Sequence, residues 1–335
     1  MRVLACVVSW NSAEQLAGAL ESLLAQTDVD LQIVVVDNAS ADASREVAAG
    51  YPGVAVVANT QNRGFAGGAN QGVALAREAG AGAFLVCNPD VSLEPDYLAR
   101  ALAALEADPA RAGVQGKLLR TGAAAGTVDT TGHLAFRTRL FRNRGEGEAD
   151  AGQHEQAGEV FGVSGAVALY RVAALDDVAV DGEVFDEDLF AYWEDVDLDW
   201  RLQLRGWQAW YEPTACGWHE RGGAGPRRSA FVEELNFANR FLVVAKNDHL
   251  PSLVRALPGF VLTSVLKAGE LAVTVPRAFV RAVPRLRLLR RMLAKRRLVR
   301  SRATVAPAVV VARWFEPFDY LAWVRTWWGR VRGAR

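Results

Sequence analysis

The chain has 335 residues, of which 51% are hydrophobic and 23% are charged, and its formal net charge at pH 7 is zero. These values are ordinary for a soluble globular protein of one or two domains, and they exclude a chain that is disordered throughout. The charge is unevenly distributed, because residues 276–335 contain sixteen Lys and Arg but only two acids, a balance of +14. Residues 1–275 must therefore carry −14.

Cysteine usage indicates a reducing compartment. The three cysteines, Cys6, Cys87 and Cys216, are far apart and show neither CxxC spacing nor a Cys/His ligand pattern. Neither a disulfide framework nor a zinc site is therefore indicated. The N-terminus lacks the basic segment, apolar core and cleavage site of a signal peptide, and we expect it to form a first strand.

Short apolar segments alternate with helical patterns over the first hundred residues. Residues 3–10, 32–36, 54–58 and 83–87 have the continuous apolar character of parallel strands buried on both faces. Their alternation with helices predicts an α/β fold with a mostly parallel sheet and helices on both faces. In such sheets ligands bind at the carboxyl ends of the strands. The polar residues expected at that edge are Asn11, Asp37, Asn62, Arg63, Asn88 and Asp90.

Residues 121–159 are rich in Gly, Ala and charge and have little periodicity. We therefore expect a mobile, variable loop region there that can include a hairpin. Regular structure is expected to resume over residues 160–171. After an acidic stretch, residues 208–212 predict a further strand.

The acidic stretch, residues 181–199, contains nine carboxylates and no Lys or Arg. From Glu194 onward apolar residues recur at helical spacing, which predicts an amphipathic helix with Glu194, Asp195 and Asp197 in its first turn. The helix macrodipole favours carboxylates at that position, which explains part of the pattern. Aromatic side chains among the acids favour a walled pocket, where burial raises a carboxyl pKa toward that of a general base. This stretch alone is equally compatible with a site and with a solvated face.

The sequence changes character near residue 250. Its apolar runs are interrupted by Lys267, Glu270 and several prolines, so a clean membrane-spanning helix is not expected. Arg interleaved with Leu, Val and Trp is typical of helices that lie on an anionic bilayer. We therefore predict a catalytic domain over residues 1–245 and a basic, membrane-associating helical region over residues 246–335. Packing of these helices on the acidic half of the chain, or nucleic-acid binding, remains an alternative.

Asn88-Pro89-Asp90 closes the fourth apolar segment and offers one carboxylate at the ligand edge. Turns favour the same residue types, so the motif is weak by itself. A hard divalent cation is typically held by one or two protein carboxylates, with water and phosphate oxygens completing its shell, so Asp90 would suffice as an anchor. The Gly-rich turn 62–70 matches neither the dinucleotide-binding fingerprint nor a P-loop, and both of those functions are excluded.

Six segments in this order carry a family resemblance. They are VVSWN (7–11), VVDNAS with Asp42 and Ser44 (35–44), NRGFAGGAN (62–70), NPD (88–90), residues 162–171 and residues 185–207 with the Glu194-Asp195 pair. Together they resemble the family 2 glycosyltransferases, and most closely the rhamnosyltransferase-like members that act on bacterial cell-surface polysaccharides. The resemblance covers about residues 1–245.

The resemblance implies a GT-A fold, an inverting transfer of one sugar from a nucleotide-diphosphate donor, and Mg²⁺ or Mn²⁺ as cofactor. By position, Asp195 matches the catalytic base, and Glu194 stands beside it as an orienting group or acceptor contact. Asp90 would meet the metal and the diphosphate. His219 matches a histidine that helps to hold metal or diphosphate, although a lone histidine in apolar surroundings is structural about as often.

The donor side is implied in the same way. Asp37 would hydrogen-bond the donor base, while Asn11, Arg63 and Asn88 would line the nucleotide and phosphate side. Asn88 stands where the family's D-x-D element has its first acid, which leaves one carboxylate for the metal. The run Gln203 to Trp207 departs from the Q-x-x-R-W signature of processive synthases, which favours single addition.

The substrates follow from the resemblance alone. dTDP-L-rhamnose is the leading donor, with UDP-galactofuranose, UDP-glucose and GDP-mannose as alternatives. The expected acceptor is a lipid-linked or nascent surface glycan, and the expected location is cytoplasmic, peripheral on the inner face of the cell membrane, with no nucleic-acid partner. A catalytically silent glycan- or membrane-binding module with the same fold is the alternative from another functional class.

Overall fold

The computed structural model describes residues 1–221 and 229–332. The strands within these ranges are β1 (Val3–Ser9), β2 (Leu31–Asp37), β3 (Val54–Ala58), β4 (Ala83–Cys87), β5 (Val91–Leu93), β6 (Arg111–Arg120), β7 (Val128–Thr130), β8 (His133–Phe136), β9 (Phe141–Asn143), β10 (Gly158–Val160), β11 (Val167–Arg171), β12 (Gln208–His219) and β13 (Phe315–Glu316). The α-helices are α1 (Ala13–Leu24), α2 (Ser44–Ala49), α3 (Gly64–Glu78), α4 (Tyr97–Glu106), α5 (Val172–Val178), α6 (Glu194–Arg205), α7 (Ala230–Asn247), α8 (Leu250–Thr274), α9 (Pro276–Arg285), α10 (Leu289–Arg302), α11 (Pro307–Trp314) and α12 (Tyr320–Arg332).

Within these residues, ten strands form one sheet in the order β10-β12-β6-β11-β4-β1-β2-β3, with β5 paired to β12 and β7 to β6. The pairs β4-β1, β1-β2, β2-β3 and β6-β12 are parallel. Strand β11 is antiparallel to both β4 and β6. Strands β12, β6, β4, β1, β2 and β3 therefore run in the same direction, and their carboxyl ends share one edge of the sheet.

Helices cover both faces of the sheet, as the sequence predicts. Leu4, Cys6 and Val8 of β1 belong to an apolar cluster with α3, α5 and α6, whereas the alternate residues of β1 pack with α1 and α4. Strands β1 to β4 match the four predicted apolar segments within a residue or two. Strand β6 was not predicted, and β12 runs on to His219, seven residues beyond its predicted end.

Residues 121–159 differ from their expected loop character. They contain β7, β8 and β9, and Asp129 and His133 within them are 0% and 5% exposed. Strands β8 and β9 form the expected hairpin, and β13 from the C-terminal region adds to β8 in parallel. The loop prediction was wrong because strands of three or four residues are too short to show a period of two. In addition, the buried polar residues of this region are ion-paired, so they look like surface residues in the sequence although they lie inside.

The C-terminal helices pack on the acidic half of the chain. A third apolar cluster joins Trp200 of α6 to Leu242 of α7, Met292 of α10 and Phe315 of β13. Basic residues from α9 and α10 reach the acidic stretch directly, since Lys295 Nζ lies 2.6 Å from Asp186 Oδ1. Part of the basic charge thus serves the chain's own acids. The predicted boundary after residue 245 falls within α7.

Helix α8 runs without a break over 25 residues, with Pro258 inside it. Among the described residues it is the one helix long and apolar enough to cross a membrane, by length and composition alone, with a mean hydropathy of 1.4 over an 18-residue window. This continuity was not expected from the sequence. Lys267 is accommodated because it pairs with Glu233 and Glu270, at 2.9 and 3.1 Å.

Candidate active site

A cavity of about 840 Å³ lies at the carboxyl edge of the sheet. It is lined by residues that follow β1, β2 and β4, by the start of β11, by the N-terminal end of α6 and by the end of β12. Five predicted site residues line it: Asn88, Asp90, Glu194, Asp195 and His219.

An unusual turn aims the first residues of α6 into the cavity. Phe190, Tyr192 and Trp193, just before Glu194, have φ values of 68°, 65° and 75°, which side-chain-bearing residues adopt at a cost. Asn239 of α7 offsets that cost by donating to three carbonyl oxygens of residues 189–192, at 2.7, 2.9 and 3.0 Å. A residue outside the acidic stretch thus fixes the direction in which this stretch enters α6.

The Gly-rich turn holds the same segment from the other side. The amide of Ala66 donates to the carbonyl oxygen of Phe190 at 3.1 Å. Gly64 has φ +73°, and a Cβ there would lie 2.2 Å from that oxygen. Glycine at position 64 is therefore required by both backbone conformation and close approach.

Asp195 faces the cavity with its side chain 18% exposed. Its Oδ2 accepts a hydrogen bond from the amide of Gly165 at 3.0 Å, and its Oδ1 accepts one from the amide of Val196 at 2.8 Å. Two backbone donors thus fix the carboxylate while one side of it remains open to a substrate.

Glu194, beside it, is 6% exposed and also lines the cavity. Its Oε2 has no hydrogen-bond partner within the part of the chain that the structure describes. Burial, and then the neighbouring charge of Asp195, raise the pKa of Glu194 well above its ordinary value. A buried carboxyl that favours its neutral form can donate a hydrogen bond to a hydroxyl as well as accept one.

Asp90 and His219 contact each other in the wall of the cavity. Nε2 of His219 lies 3.2 Å from Asp90 Oδ1, and Nδ1 lies 2.9 Å from Asp129 Oδ2. Burial lowers the pKa of His219, but its hydrogen bonds to Asp129 and Asp90 outweigh burial and raise the pKa to about 9. Arg221 pairs with the same Asp129. His219 is thus held between two carboxylates, one facing the cavity and one behind it.

The donor set fits a cation that is shared with a substrate. Among the described residues no group of three or more His, Cys, Asp or Glu could hold a metal ion. Asp90 and His219 offer one oxygen and one nitrogen, and the bond from Nδ1–H to Asp129 directs Nε2 toward the cavity, as in carboxylate–histidine–metal arrangements. Mg²⁺ or Mn²⁺ bound there would take its other ligands from a diphosphate and water.

Three predicted residues do not line this cavity. Asp37 is fully buried, and its Oδ2 accepts from the amide of Ser40 at 3.2 Å, while Oδ1 has no hydrogen-bond partner among the described residues. Oδ1 of Asn11 accepts a hydrogen bond from the amide of Ala41, in the loop after β2, at 2.8 Å. Their neighbours Trp10 and Asn38 do line the cavity, so both residues lie just behind its wall.

Arg63 is the third. Its guanidinium pairs with Glu187 at 3.1 Å, and it borders a separate shallow depression with Asn59 and Gln61. The structure therefore does not bring Arg63 to the cavity that contains Asp90. Arg221, which the sequence analysis did not single out, lines that cavity instead.

Most of the acidic stretch is structural. Asp186 and Asp197 are buried and bind Lys246, at 2.7 and 2.9 Å. Asp197 also pairs with Arg201, four residues along α6, at 2.9 Å. The nine carboxylates therefore do not form one site, and the two that line the cavity are Glu194 and Asp195. Cations that neutralise other acids of the stretch include Lys246 of α7, Lys295 of α10 and Arg63, which precedes α3. They lie outside the stretch, so its sequence does not reveal them.

His133 of β8 is another cavity residue that was not predicted from the sequence. Its ring lies between Asp195 and Asp199, 3.6 Å and 2.7 Å from their carboxylate oxygens. The segment DTTGH held a signal, since a histidine and an acid flank a glycine turn there. That signal was weak without a predicted strand to place it.

Comparison with known proteins identifies the family. A model of "Glycosyl transferase family 2" matches residues 5–179. The "Succinoglycan biosynthesis protein ExoO" of Rhizobium meliloti is 37% identical over 111 residues, 32% of this chain and 31% of that protein. The "N-acetylglucosaminyl-diphospho-decaprenol L-rhamnosyltransferase" of Mycobacterium tuberculosis is 28% identical over 248 residues, 67% of this chain and 77% of that protein. The match thus spans less than a third of the first relative and about three quarters of the second.

Solved structures share the fold at low sequence identity. The structure of GalNAc-T7 with UDP, GalNAc and Mn²⁺ has a TM-score of 0.61 at 12% identity, and the match covers 97% of this chain and 57% of that one. The mannosyltransferase PcManGT from Pyrobaculum calidifontis, with GDP-Man and Mn²⁺, has a TM-score of 0.52 at 18% identity, covering 93% and 87%. The family model matches about half of the chain, and the sheet is mixed, mostly parallel and flanked by helices. The chain therefore belongs to glycosyl transferase family 2 and has the GT-A fold.

Proposed function

We propose that this enzyme is an inverting, non-processive hexosyltransferase of cell-surface glycan synthesis, with Asp195 as its base. The observation that carries the proposal is that Asp195 and the Asp90–His219 pair line the same cavity. A carboxylate for the acceptor hydroxyl and a binding site for the leaving diphosphate are thereby available to one bound sugar.

Asp195 supplies the base chemistry. An acceptor hydroxyl is a poor nucleophile, so a carboxylate within hydrogen-bond reach takes its proton as the new C–O bond forms. The amide of Gly165 holds Oδ2 at 3.0 Å and keeps the carboxylate in place for that transfer. Attack from the face opposite the diphosphate inverts the anomeric carbon and needs no covalent intermediate. Glu194, buried beside Asp195, would bind and orient the acceptor.

The leaving nucleotide diphosphate gains negative charge as the bond to the sugar breaks. Asp90 and His219 would hold Mg²⁺ or Mn²⁺, which neutralises part of that charge when bound. Asn88, before Asp90, would bind on the same phosphate side. Asp37 and Asn11 would act behind the nucleotide end of the cavity, and Arg63 would reach a phosphate only by leaving Glu187.

dTDP-L-rhamnose is the leading donor, and L-rhamnose is therefore the leading candidate for the transferred sugar. Its support is the 28% identity, over two thirds of this chain, to a relative described as an L-rhamnosyltransferase, together with the rhamnosyltransferase-like motifs. Donors carrying galactofuranose, glucose or mannose would bind the same fold. A second function, a catalytically silent glycan- or membrane-binding module, is disfavoured because Asp90 and Asp195 both line the cavity.

We further propose that residues 246–335 attach the catalytic domain, residues 1–245, to the inner face of the cell membrane. One side of α8 exposes large apolar residues three or four positions apart: Leu250, Val254, Leu257, Val261 and Val265. Contacts between Lys267 and Glu233 and between Ser264 and Arg240 make α8 antiparallel to α7, so its later turns lie near the start of α7. Phe231, at that start, lines the cavity, which favours a lipid-linked acceptor that enters from the bilayer.

The transferase proposal is tested by nucleotide release from a panel of sugar nucleotides with Mg²⁺ or Mn²⁺. We expect acceptor-dependent release from one donor, and its loss in Asp195→Asn with the donor-induced rise in melting temperature retained. Asp181→Asn, an exposed acid of the same stretch, is the matched control and should behave as wild type. A binding module would give donor or glycan binding without turnover, and Asp195→Asn would then change nothing.

The membrane proposal is tested by flotation with vesicles of anionic or neutral lipid. The double variant Val261→Glu/Val265→Glu should lose binding to anionic vesicles, whereas Leu24→Glu, at similar exposure on α1, should not. Salt-sensitive DNA retention with no vesicle binding would instead favour a nucleic-acid partner.

A further inference from the structure

Two carboxylates of α6 enclose a buried histidine. Asp195 and Asp199 are four residues apart and therefore share one side of the helix. His133 lies across that side, with Nδ1 2.7 Å from Asp199 Oδ2 and Nε2 3.6 Å from Asp195 Oδ2. His133 is 5% exposed and Asp199 is 1% exposed, whereas Asp195 and His133 both line the cavity. The base is thus linked through one imidazole to a second carboxylate that has no access to substrate.

The segment 162–165 closes this arrangement from the other side. The amide of Val163 donates to Asp199 Oδ1 at 3.1 Å, and the amide of Gly165 donates to Asp195 Oδ2 at 3.0 Å. A Cβ on Gly162 would lie 1.8 Å from Asp199 Oδ2, so glycine is required for Asp199 to occupy its place. The carbonyl of Gly162 also accepts from the amide of His133 at 2.9 Å. Both carboxylates and the histidine are therefore held by one glycine-containing segment.

Hydrogen bonding assigns the protons. Asp199 uses Oδ1 as an acceptor from a backbone amide and Oδ2 toward Nδ1, so Nδ1 carries a proton and Nε2 faces Asp195. A neutral Nε2 would place its lone pair against the carboxylate, whereas a protonated one forms an ion pair with it. Burial lowers the pKa of His133, but the charges of Asp195 and Asp199 and the bond to Asp199 outweigh it and raise the pKa. The imidazolium is the form that fits this geometry.

We propose that His133, oriented by Asp199, is a positioning residue that keeps the carboxylate of Asp195 ionised and aimed at the acceptor hydroxyl. The need for such a cation follows from the neighbours of Asp195, because buried Glu194 adjoins it and Asp199 lies one turn away. Strands β13 and β9 flank β8, so the C-terminal region also supports the histidine. The inference rests on the proposed role of Asp195 as base.

The groups that face this cluster are few. Asp195 and Asp199 of α6 act directly on His133. Burial, and then the charges of the same carboxylates, raise the pKa of Tyr170 of β11 well above its ordinary value. Arg142 of β9 and Glu146, which follows β9, also line the cavity. Asp195 and Asp199 are therefore the groups whose replacement should change the protonation state of His133.

The substrate-independent test is the titration of the histidine ring protons by NMR, with His133→Gln identifying its signal among four histidines. We expect His133 to titrate above the ordinary histidine range in the wild type and to fall by about one pH unit or more in both Asp195→Asn and Asp199→Asn. His154→Gln, a buried histidine outside the cavity, is the control and should leave the titration of His133 unchanged. An unaltered pKa of His133 in both Asp variants would overturn the proposal.

The kinetic test uses the donor that the wild type turns over. His133→Gln removes a cation that lies 3.6 Å from the carboxylate of the base, so it should move the acid limb of the kcat/KM profile to higher pH by about one unit, with melting temperature as a check on folding. Asp199→Asn should move it in the same direction. A loss of activity that is equal at every pH would mean a structural role and refute the proposal. Retained activity in Asp195→Asn would refute the base assignment instead, which keeps the two failures distinct.

Discussion

Replacing Lys295 with methionine tests whether the C-terminal helices and the acidic stretch fold as one unit. Nζ of Lys295 lies 2.6 Å from Asp186 Oδ1 and 3.0 Å from Asp188 Oδ2, and all three residues have buried side chains. Methionine keeps most of the aliphatic stem and removes the charge. The carboxylate of Asp186 then depends on Lys246, at 2.7 Å.

Removing one partner of a buried ion pair costs about 3–5 kcal/mol. Because Lys246 stays in place, we expect the lower end, a loss of about 3 kcal/mol in the free energy of unfolding. At roughly 2 °C per kcal/mol for a chain of more than 150 residues, the melting temperature should fall by about 6 °C. Several degrees are easily measured.

The loss should also depend on pH. Burial raises the pKa of Asp186, but the charges of Lys246 and Lys295 outweigh burial and hold the pKa well below its ordinary value. A carboxyl with a lowered folded-state pKa contributes stability that is fully present above its unfolded pKa, near 3.8, and is lost progressively as the pH falls from there through the folded-state pKa. The difference between wild type and Lys295→Met should therefore be largest near neutral pH and shrink in acid.

Urea unfolding, followed by tryptophan fluorescence and circular dichroism at pH 7 and below pH 4, measures both effects. Arg297→Met, an exposed position on the same helix, is the matched control, and its effect should stay within about 0.5 kcal/mol. Equal effects of the two variants would refute the reasoning. So would a separate transition of the C-terminal helices that alone responds to Lys295→Met.

Two further predictions follow from the cavity walls. Gly80 and Gly64 have φ of +63° and +73°, but a Cβ at Gly80 meets no atom within 4 Å. We expect Gly80→Ala to lower the free energy of unfolding, measured in urea, by about 1 kcal/mol. Gly64→Ala should lower it by at least twice as much and should also reduce nucleotide release. Equal losses in the two variants would contradict the contact between position 64 and Phe190. The pKa of His219, raised to about 9, implies stability that is fully present below about pH 6.5 and lost as the pH rises through 9. With a chelator present, His219→Gln should remove the dependence of the unfolding free energy on pH between about 6.5 and 9. An unchanged dependence would refute the ion pairing of His219.

Local patterns in the sequence were sufficient for much of the fold. The apolar segments of the sequence predict β1 to β4 directly, because a strand buried on both faces is almost continuously apolar until it ends. The same rule places Asp37 and Asp90 at the carboxyl edge, and helical spacing places Glu194 and Asp195 in the first turn of α6. These features depend on neighbours within a few residues along the chain.

Pairing between distant segments was not readable from the sequence. Strand β8 has four residues and is positioned by β9 and by β13, about 180 residues away, so the local segment DTTGH indicates only weakly that His133 is a cavity residue. Arg63 looks available for a phosphate in the sequence, yet Glu187 lies within 3.1 Å of it.

The nine clustered acids illustrate the same limit. By sequence alone they are equally compatible with one site and with a solvated face, because no cation lies among them. The tertiary structure brings Lys246 and Lys295 to the buried Asp186 and leaves Glu194 and Asp195 at the cavity. Local sequence patterns are enough to predict which residue types lie at the edge of the sheet. Which of these residues are neutralised in the core and which remain available for chemistry depends on the tertiary fold, because a buried charge needs a partner close in space and that partner can lie anywhere along the chain.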